Sequence, residues 1–142
     1  MFGEAVVFFN KELAIDFKYL RKQGMQLHSK MRYISAQFAR YLTDNLWKTN
    51  ALAANQLAKK LADSLAQFSA LQITQEVNAN GIFVLMPEDL ITALQKEYFF
   101  HIWNDSPKDK MGQKEVRLMC SWDTTEEDIE GFVELLKQTL KL

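Results

Sequence analysis

Hydrophobic positions recur with a helical period in the first half of the chain. Between residues 11 and 68, apolar side chains return every three or four positions, with breaks near Gly24 and across residues 43–50. This pattern predicts two or three helices, of which the last is the clearest. Its apolar stripe, which must pack against another apolar surface, consists of Leu57, Leu61, Leu65 and Phe68.

A continuous apolar run, EAVVFF at residues 4–9, precedes these helices. Its β-branched and aromatic content predicts a strand that is covered on both faces. The neighbouring sequence supplies no strand to pair with it. We therefore expect either distant strands of this chain or strands missing from it to surround the run.

Short strands replace long helices after residue 69. The apolar patterns predict strands at residues 72–77, 81–86, 99–104 and 115–121. The sequence NANG suits a tight connection between the first two strands, because Asn and Gly tolerate positive φ. A polar loop with Pro and Gly, residues 105–114, separates the last two, and its tip is expected to be mobile.

Two further helices are predicted in this second half. Pro87 suits the first turn of a helix over residues 87–98, and Thr124 to Glu127 fits a capping box that opens a helix over residues 124–142. The element order is one strand, a helical half and then β-β-α-β-β-α. This order indicates an α+β fold, in which helices pack on a small sheet.

Composition excludes few classes of protein. The chain has 142 residues, 48% of them hydrophobic, and a formal net charge of −1, which fits a globular protein without global attraction to nucleic acid or an anionic membrane. No apolar run is long enough for a membrane span, and no leader peptide is recognisable. Cys120 is the only cysteine, so no intramolecular disulfide is expected and a cytoplasmic location is the simplest.

The common short motifs of nucleotide, metal and acyl chemistry are absent. His28 and His101 lie far apart without ligand spacing, so no metal site is predicted. Cys120 shares a strand face with Val116 and Leu118 and is interpreted as a core residue. Arg117 lies on the opposite face of that strand.

Two basic features leave alternatives open. The stretch from Lys18 to Arg32 contains five cations and no acid, and it is interpreted as a solvated helix face, an anion site near Gly24 and Ser29, or, least favoured, a nucleic-acid contact. Arg117 is either an ordinary surface arginine or, because a strand fixes its backbone, a planar fork that binds a carboxylate.

Three stretches carry a resemblance to a known family: QGMQLHSKMRYISAQ, ANGIFVLMP and VRLMCSWDTTEEDIEGFVELL. From about Gly3 to Lys141 the chain resembles the C-terminal portion of the low-specificity L-threonine aldolases, which are pyridoxal-phosphate-dependent lyases of fold type I. The resemblance implies that residues 31–142 form the small, mostly antiparallel α+β domain. Residues 1–30 would be a strand and connecting helix at the fringe of a missing large cofactor domain.

The resemblance also implies a chemistry. The intact enzyme would cleave β-hydroxy-α-amino acids, such as threonine to glycine and acetaldehyde, and Arg117 matches the family arginine that binds the substrate α-carboxylate. Lys22, Ser29 and Lys30 match positions near the cofactor or its phosphate, although the family motif departs here. The Schiff-base lysine of the family lies upstream of the matched region, so this chain alone is expected to bind no pyridoxal phosphate and to be inactive.

The expected partners follow from the same resemblance. The intact enzyme would bind a small amino acid and form a homo-oligomer, either a dimer or a tetramer, without nucleic acid or membrane. An alternative is a non-catalytic oligomerisation or interaction module derived from such an enzyme. The unpartnered strand and the alanine-rich helix over residues 51–66 favour this alternative.

Overall fold

The computed structural model describes residues 3–104 and 112–141. The chain divides into two units, Met1–Trp47 and Lys48–Leu142. The domain boundary predicted between residues 30 and 31 separates the fringe of a larger cofactor domain from the small domain. It stays a prediction. The predicted polar loop falls largely on residues 105–111, outside the described residues.

The first unit is helical. A 3-10 turn, Lys11–Ala14, begins after Asn10, whose side chain accepts a hydrogen bond from the backbone N–H of Glu12 at 3.0 Å. Helix α1 spans Phe17–Gln23 and helix α2 spans Met31–Leu42. No residue of these elements is buried, so the unit has no closed core of its own among the residues that the structure describes.

The strand predicted at residues 4–9 is wrong. Residues 3–8 belong to no strand, and Val6 and Val7 are 60% and 71% exposed. A strand needs a neighbour for its backbone N–H and C=O groups, and none of the described sheet pairs involves this run. The apolar pattern indicated residues with a high propensity for strands, but a strand also needs a second strand to pair with.

The predicted helix breaks are confirmed, the second in a shorter form. Gly24 ends α1, with its N–H donating to the Leu20 carbonyl at 2.8 Å. The second break covers only Thr43–Asn45, where Asp44 has a φ of 54°. Asp and Asn tolerate this left-handed conformation better than most residues, so the chain turns here and α3, Leu46–Leu65, begins at once.

The second unit contains a four-stranded antiparallel sheet with the order β1-β2-β4-β3. Its strands are β1, Gln72–Ile73; β2, Gly81–Pro87; β3, His101–Asn104; and β4, Gln113–Met119. Helix α4 spans Glu88–Leu94 and α5 spans Glu126–Leu140. The predicted β-β-α-β-β-α order and the α+β class are confirmed, with β1 much shorter than expected.

One face of this sheet and three helices enclose the core. Alternate residues of β2 and β4 point into it, and the stripe predicted on α3 meets them there. Its fully buried members include Leu65, Ile82, Val84, Met86, Leu94, Val116 and Leu136. The central strands β2 and β4 are thereby fixed on one side by packing.

The capping box that opens α5 lies one residue later than predicted. Thr125 caps the helix, accepting from the Asp128 N–H at 3.2 Å, while the Thr125 N–H donates to the Asp128 carboxylate at 2.8 Å. Thr124 is occupied otherwise, because its hydroxyl accepts from the Ser121 N–H at 2.8 Å. The backbone and side-chain hydrogen bonds from Thr125 lower the pKa of Asp128.

Candidate functional site

The second face of the sheet carries the candidate site. Because side chains alternate along a strand, Arg117 and Met119 of β4 point away from the core, together with Phe83 of β2 and His101 of β3. We call the surface formed by these four side chains and Trp103 the Arg117 face. Phe83 and His101 lie directly opposite Arg117 in the register, so this arginine stands on an inner strand with neighbours on both sides.

Arg117 is half-buried, and no hydrogen bond or ion pair joins its side chain to another described residue. Its guanidinium carbon lies 4.7 Å from the centre of the Trp103 ring. Its Nε is buried without a hydrogen-bond partner, and none of the ion pairs among the described residues includes it. A buried donor left without a partner costs free energy, so it requires an explanation, such as an ordered water, an ion or a ligand that accepts from it.

An acidic residue two positions away is already engaged. Glu115 is buried, and its carboxylate accepts a hydrogen bond from the Thr74 hydroxyl at 2.7 Å. A carboxylate buried in this way is normally satisfied by hydrogen bonds. The Arg117 face therefore presents a cation without presenting a free surface acid beside it on β4.

Aromatic side chains surround the arginine. The Phe83 and Trp103 rings lie 5.4 Å apart at 68°, an edge-to-face arrangement. Phe99 and His101 make a similar contact at 4.9 Å. The sequence interpretation missed Phe83 and Trp103 as site residues. The available signal for Phe83 was its position between the core residues Ile82 and Val84, which places it on the other face of β2.

The other predicted site residues lie in the first unit. Lys22 is in the last turn of α1, and Ser29 and Lys30 form the turn before α2, where Lys30 is the residue preceding the helix. All three are exposed. Arg117 belongs to the second unit. The role of these three residues near the cofactor and the role of Arg117 in carboxylate binding both stay predictions, and they concern separate parts of the chain.

Cys120 is confirmed as a core residue. It is buried, and burial raises the pKa of its thiol, which disfavours the reactive thiolate. An apolar cleft of about 210 Å³ lies beside it and is lined by Leu61, Phe100, Cys120, Ile129 and Phe132, among others. Arg117 does not line this cleft, which is therefore distinct from the candidate carboxylate site.

No group of three His, Cys, Asp or Glu residues within residues 3–104 and 112–141 is arranged to hold a metal ion. None of the described helices is long and apolar enough to cross a bilayer.

Solved structures share this fold. The chain matches a threonine aldolase of Leishmania major with a TM-score of 0.79 and 26% identity, covering 92% of this chain and 37% of that one. A NifS-like protein of Rickettsia africae matches with a TM-score of 0.52 and 18% identity, over 66% of this chain and 29% of that one. The architecture, a small antiparallel sheet covered by helices, is thus shared with a portion of each of these longer chains.

Sequence comparison is more specific. The chain is 40% identical over 125 residues to a low-specificity L-threonine aldolase of a Pseudomonas species, covering 87% of this chain. It is 39% identical over 136 residues to the enzyme of the same name from Pseudomonas aeruginosa, covering 95% of this chain. No family model matches. The chain is a homologue of the low-specificity L-threonine aldolases, and it spans 34% and 36% of the length of these two relatives.

Proposed function

We propose that this chain is the C-terminal portion of a pyridoxal-phosphate-dependent lyase that cleaves threonine-like β-hydroxy-α-amino acids, and that Arg117 binds the substrate α-carboxylate. The homology to threonine aldolases supports the reaction class. The observation that carries the residue assignment is the half-buried Arg117 with an unused Nε donor on the exposed face of the sheet.

The position of Arg117 suits carboxylate recognition. A guanidinium offers parallel N–H donors that match both oxygens of a carboxylate, and such charge-assisted pairs are stronger than neutral hydrogen bonds. The inner strand β4 pairs on both sides and fixes the backbone of Arg117, so the side chain extends from a rigid position. Holding the carboxylate in one place would orient the substituents at the α-carbon, which is where bond cleavage must be directed.

The residues of the Arg117 face fit a carboxylate but do not fit the cofactor. When bound, pyridoxal phosphate supplies an electron sink for carbanion chemistry, and its site requires a lysine amine and a phosphate cradle. No described residue on this face is a lysine, and the predicted cofactor-proximal residues Lys22, Ser29 and Lys30 are exposed in the other unit. We therefore assign substrate binding to this chain and cofactor binding to other parts of the intact enzyme.

Replacing Arg117 with lysine tests the proposal. In the 142-residue chain, the Nε–H signal of Arg117 in an NMR spectrum is expected to shift when L-threonine is added at roughly millimolar concentration. L-Threoninamide, which lacks the carboxylate, should leave the signal unchanged. The Arg117→Lys variant is expected to bind L-threonine about tenfold more weakly, because it loses one of two charge-assisted hydrogen bonds worth roughly 1.5–3 kcal/mol.

A matched control is Arg40→Lys, which changes an exposed arginine of α2 in the first unit. Its affinity for L-threonine should equal that of the unaltered chain. Equal affinities for the unaltered chain and Arg117→Lys, or an equal response to L-threoninamide, would show that Arg117 does not recognise the carboxylate.

A second candidate function is a non-catalytic module that assembles with another copy of itself. It is favoured by the apolar side chains exposed in the first unit, among which Phe9 is 98% exposed. Exposed apolar surface promotes association. Sedimentation at micromolar concentration should then reveal a dimer or larger species that Phe9→Ser weakens, whereas a monomer throughout would exclude this candidate.

A further inference from the structure

The Arg117 guanidinium lies over the Trp103 ring. The 4.7 Å between the guanidinium carbon and the ring centre is well inside the roughly 6 Å over which a cation is attracted to an aromatic face. Arg117 has no ion pair within residues 3–104 and 112–141. The contact with Trp103 therefore restrains the end of the side chain without an ion pair to a described residue.

An aromatic partner restrains an arginine differently from an acidic one. A carboxylate partner would use the N–H donors of the guanidinium and would compete with a carboxylate ligand. A ring that contacts the guanidinium through its π-system leaves the in-plane N–H groups available. The unpaired Nε of Arg117 agrees with this arrangement. Trp103 can thus limit the motion of the Arg117 guanidinium without reducing its capacity to bind a carboxylate.

A β-bulge places Trp103 for this contact. Ile102 pairs with Val116 and Asn104 pairs with Glu115, so β3 has one more residue than β4 across this step, and the extra residue is Trp103. In a regular ladder Trp103 would lie opposite Glu115. Bulges of this kind redirect a side chain and are common beside functional sites. Here the redirected ring lies over Arg117.

Phe83 completes the arrangement from the other side of β4. It lies opposite Arg117 in the register, and its ring meets Trp103 edge to face at 5.4 Å. Trp103 is 52% exposed, so it is not held by core packing. The contact with Phe83 supplies the support that an exposed tryptophan otherwise lacks.

We propose that Trp103 is a positioning residue that sets the plane of the Arg117 guanidinium for carboxylate binding, with Phe83 supporting its ring. This inference rests on the proposed function, in which Arg117 binds the substrate carboxylate. It assigns to this chain a further determinant of substrate affinity that acts through Arg117 and does not touch the reacting atoms.

The test compares Trp103→Leu with Trp103→Phe in the 142-residue chain. Without ligand, the Arg117 Nε–H signal should lie upfield because of the ring current, and it should move toward its ordinary position in Trp103→Leu. The affinity for L-threonine should fall roughly fivefold in Trp103→Leu, as expected for loss of a cation–π contact, and should be largely retained in Trp103→Phe. Rescue by another aromatic ring distinguishes positioning from loss of apolar bulk.

Trp122→Leu is the matched control, because Trp122 is also exposed, at 64%, and makes no ring contact with Arg117. It should change neither the Arg117 signal nor the affinity. If Arg117 of the unaltered chain responds to L-threonine but Trp103→Leu binds equally well, the positioning role is wrong and the proposed function stands. If Arg117 of the unaltered chain does not respond to L-threonine, both are wrong.

Discussion

Replacing Leu136 with alanine is expected to lower the free energy of unfolding of the second unit by about 3 kcal/mol. Leu136 is fully buried in the C-terminal half of α5, where it belongs to the core between the helices and the sheet. Alanine and leucine both favour helix, so the loss comes from packing and the cavity left behind. Urea denaturation followed by circular dichroism measures it, and the corresponding fall in Tm is more than about 10 °C.

Leu52→Ala is the matched control for this prediction. Leu52 also lies in a helix, α3, but is 49% exposed, so its truncation should cost less than about 1 kcal/mol. A similar loss for the two variants would mean that the core does not lie between α5 and the sheet. The comparison matters for function, because the same core fixes β4, on whose opposite face Arg117 stands.

The parts of the fold that sequence patterns predicted well are those in which local and long-range requirements agree. In α5 the apolar stripe, the acidic first turn and the threonine pair all point to the same helix, and only the capping residue was displaced by one position. In β4 the alternation placed Cys120 with the core and Arg117 opposite it, and the structure confirms both. The two-residue period of a strand thus separated the core residue from the candidate site residue.

The parts that were predicted poorly depend on partners that no local pattern contains. The run at residues 4–9 has strand composition but no strand beside it among the described residues. β1 is limited to Gln72–Ile73, because only these two residues pair with β2. Trp103 could not be assigned from sequence, because its place over Arg117 depends on a bulge in β3 and on Phe83 from another strand.

Two kinds of contact restrain Arg117, one through its strand and one through its side chain. A packed core holds β4 from one side, and the aromatic residues Phe83 and Trp103 flank the arginine on the other. Its Nε has no hydrogen-bond partner, and none of the ion pairs among the described residues includes the guanidinium. In the proposed function, a guanidinium restrained in this way would lose little conformational entropy on binding a carboxylate, which is the physical basis of preorganisation.

The purified chain, supplied with pyridoxal phosphate and L-threonine, is expected to release acetaldehyde no faster than pyridoxal phosphate does alone. The chemistry needs the cofactor as electron sink, and the Arg117 face has no lysine in the part of the chain that the structure describes. Because enzymes accelerate reactions by at least about a millionfold, even a poor active site would be visible in an aldehyde-coupled assay.

The low-specificity L-threonine aldolase of Pseudomonas aeruginosa, assayed in the same way, is the positive control, since it shares 39% identity with this chain and extends well beyond the matched region. Borohydride treatment should attach no more pyridoxyl group to this chain than to an unrelated protein with a similar number of lysines. Acetaldehyde production proportional to the concentration of the chain, and lost after borohydride treatment, would contradict the assignment of cofactor binding to other parts of the enzyme. In that case the lysine labelled by borohydride would identify the cofactor site directly, and the role of Arg117 would have to be judged by its effect on KM for L-threonine.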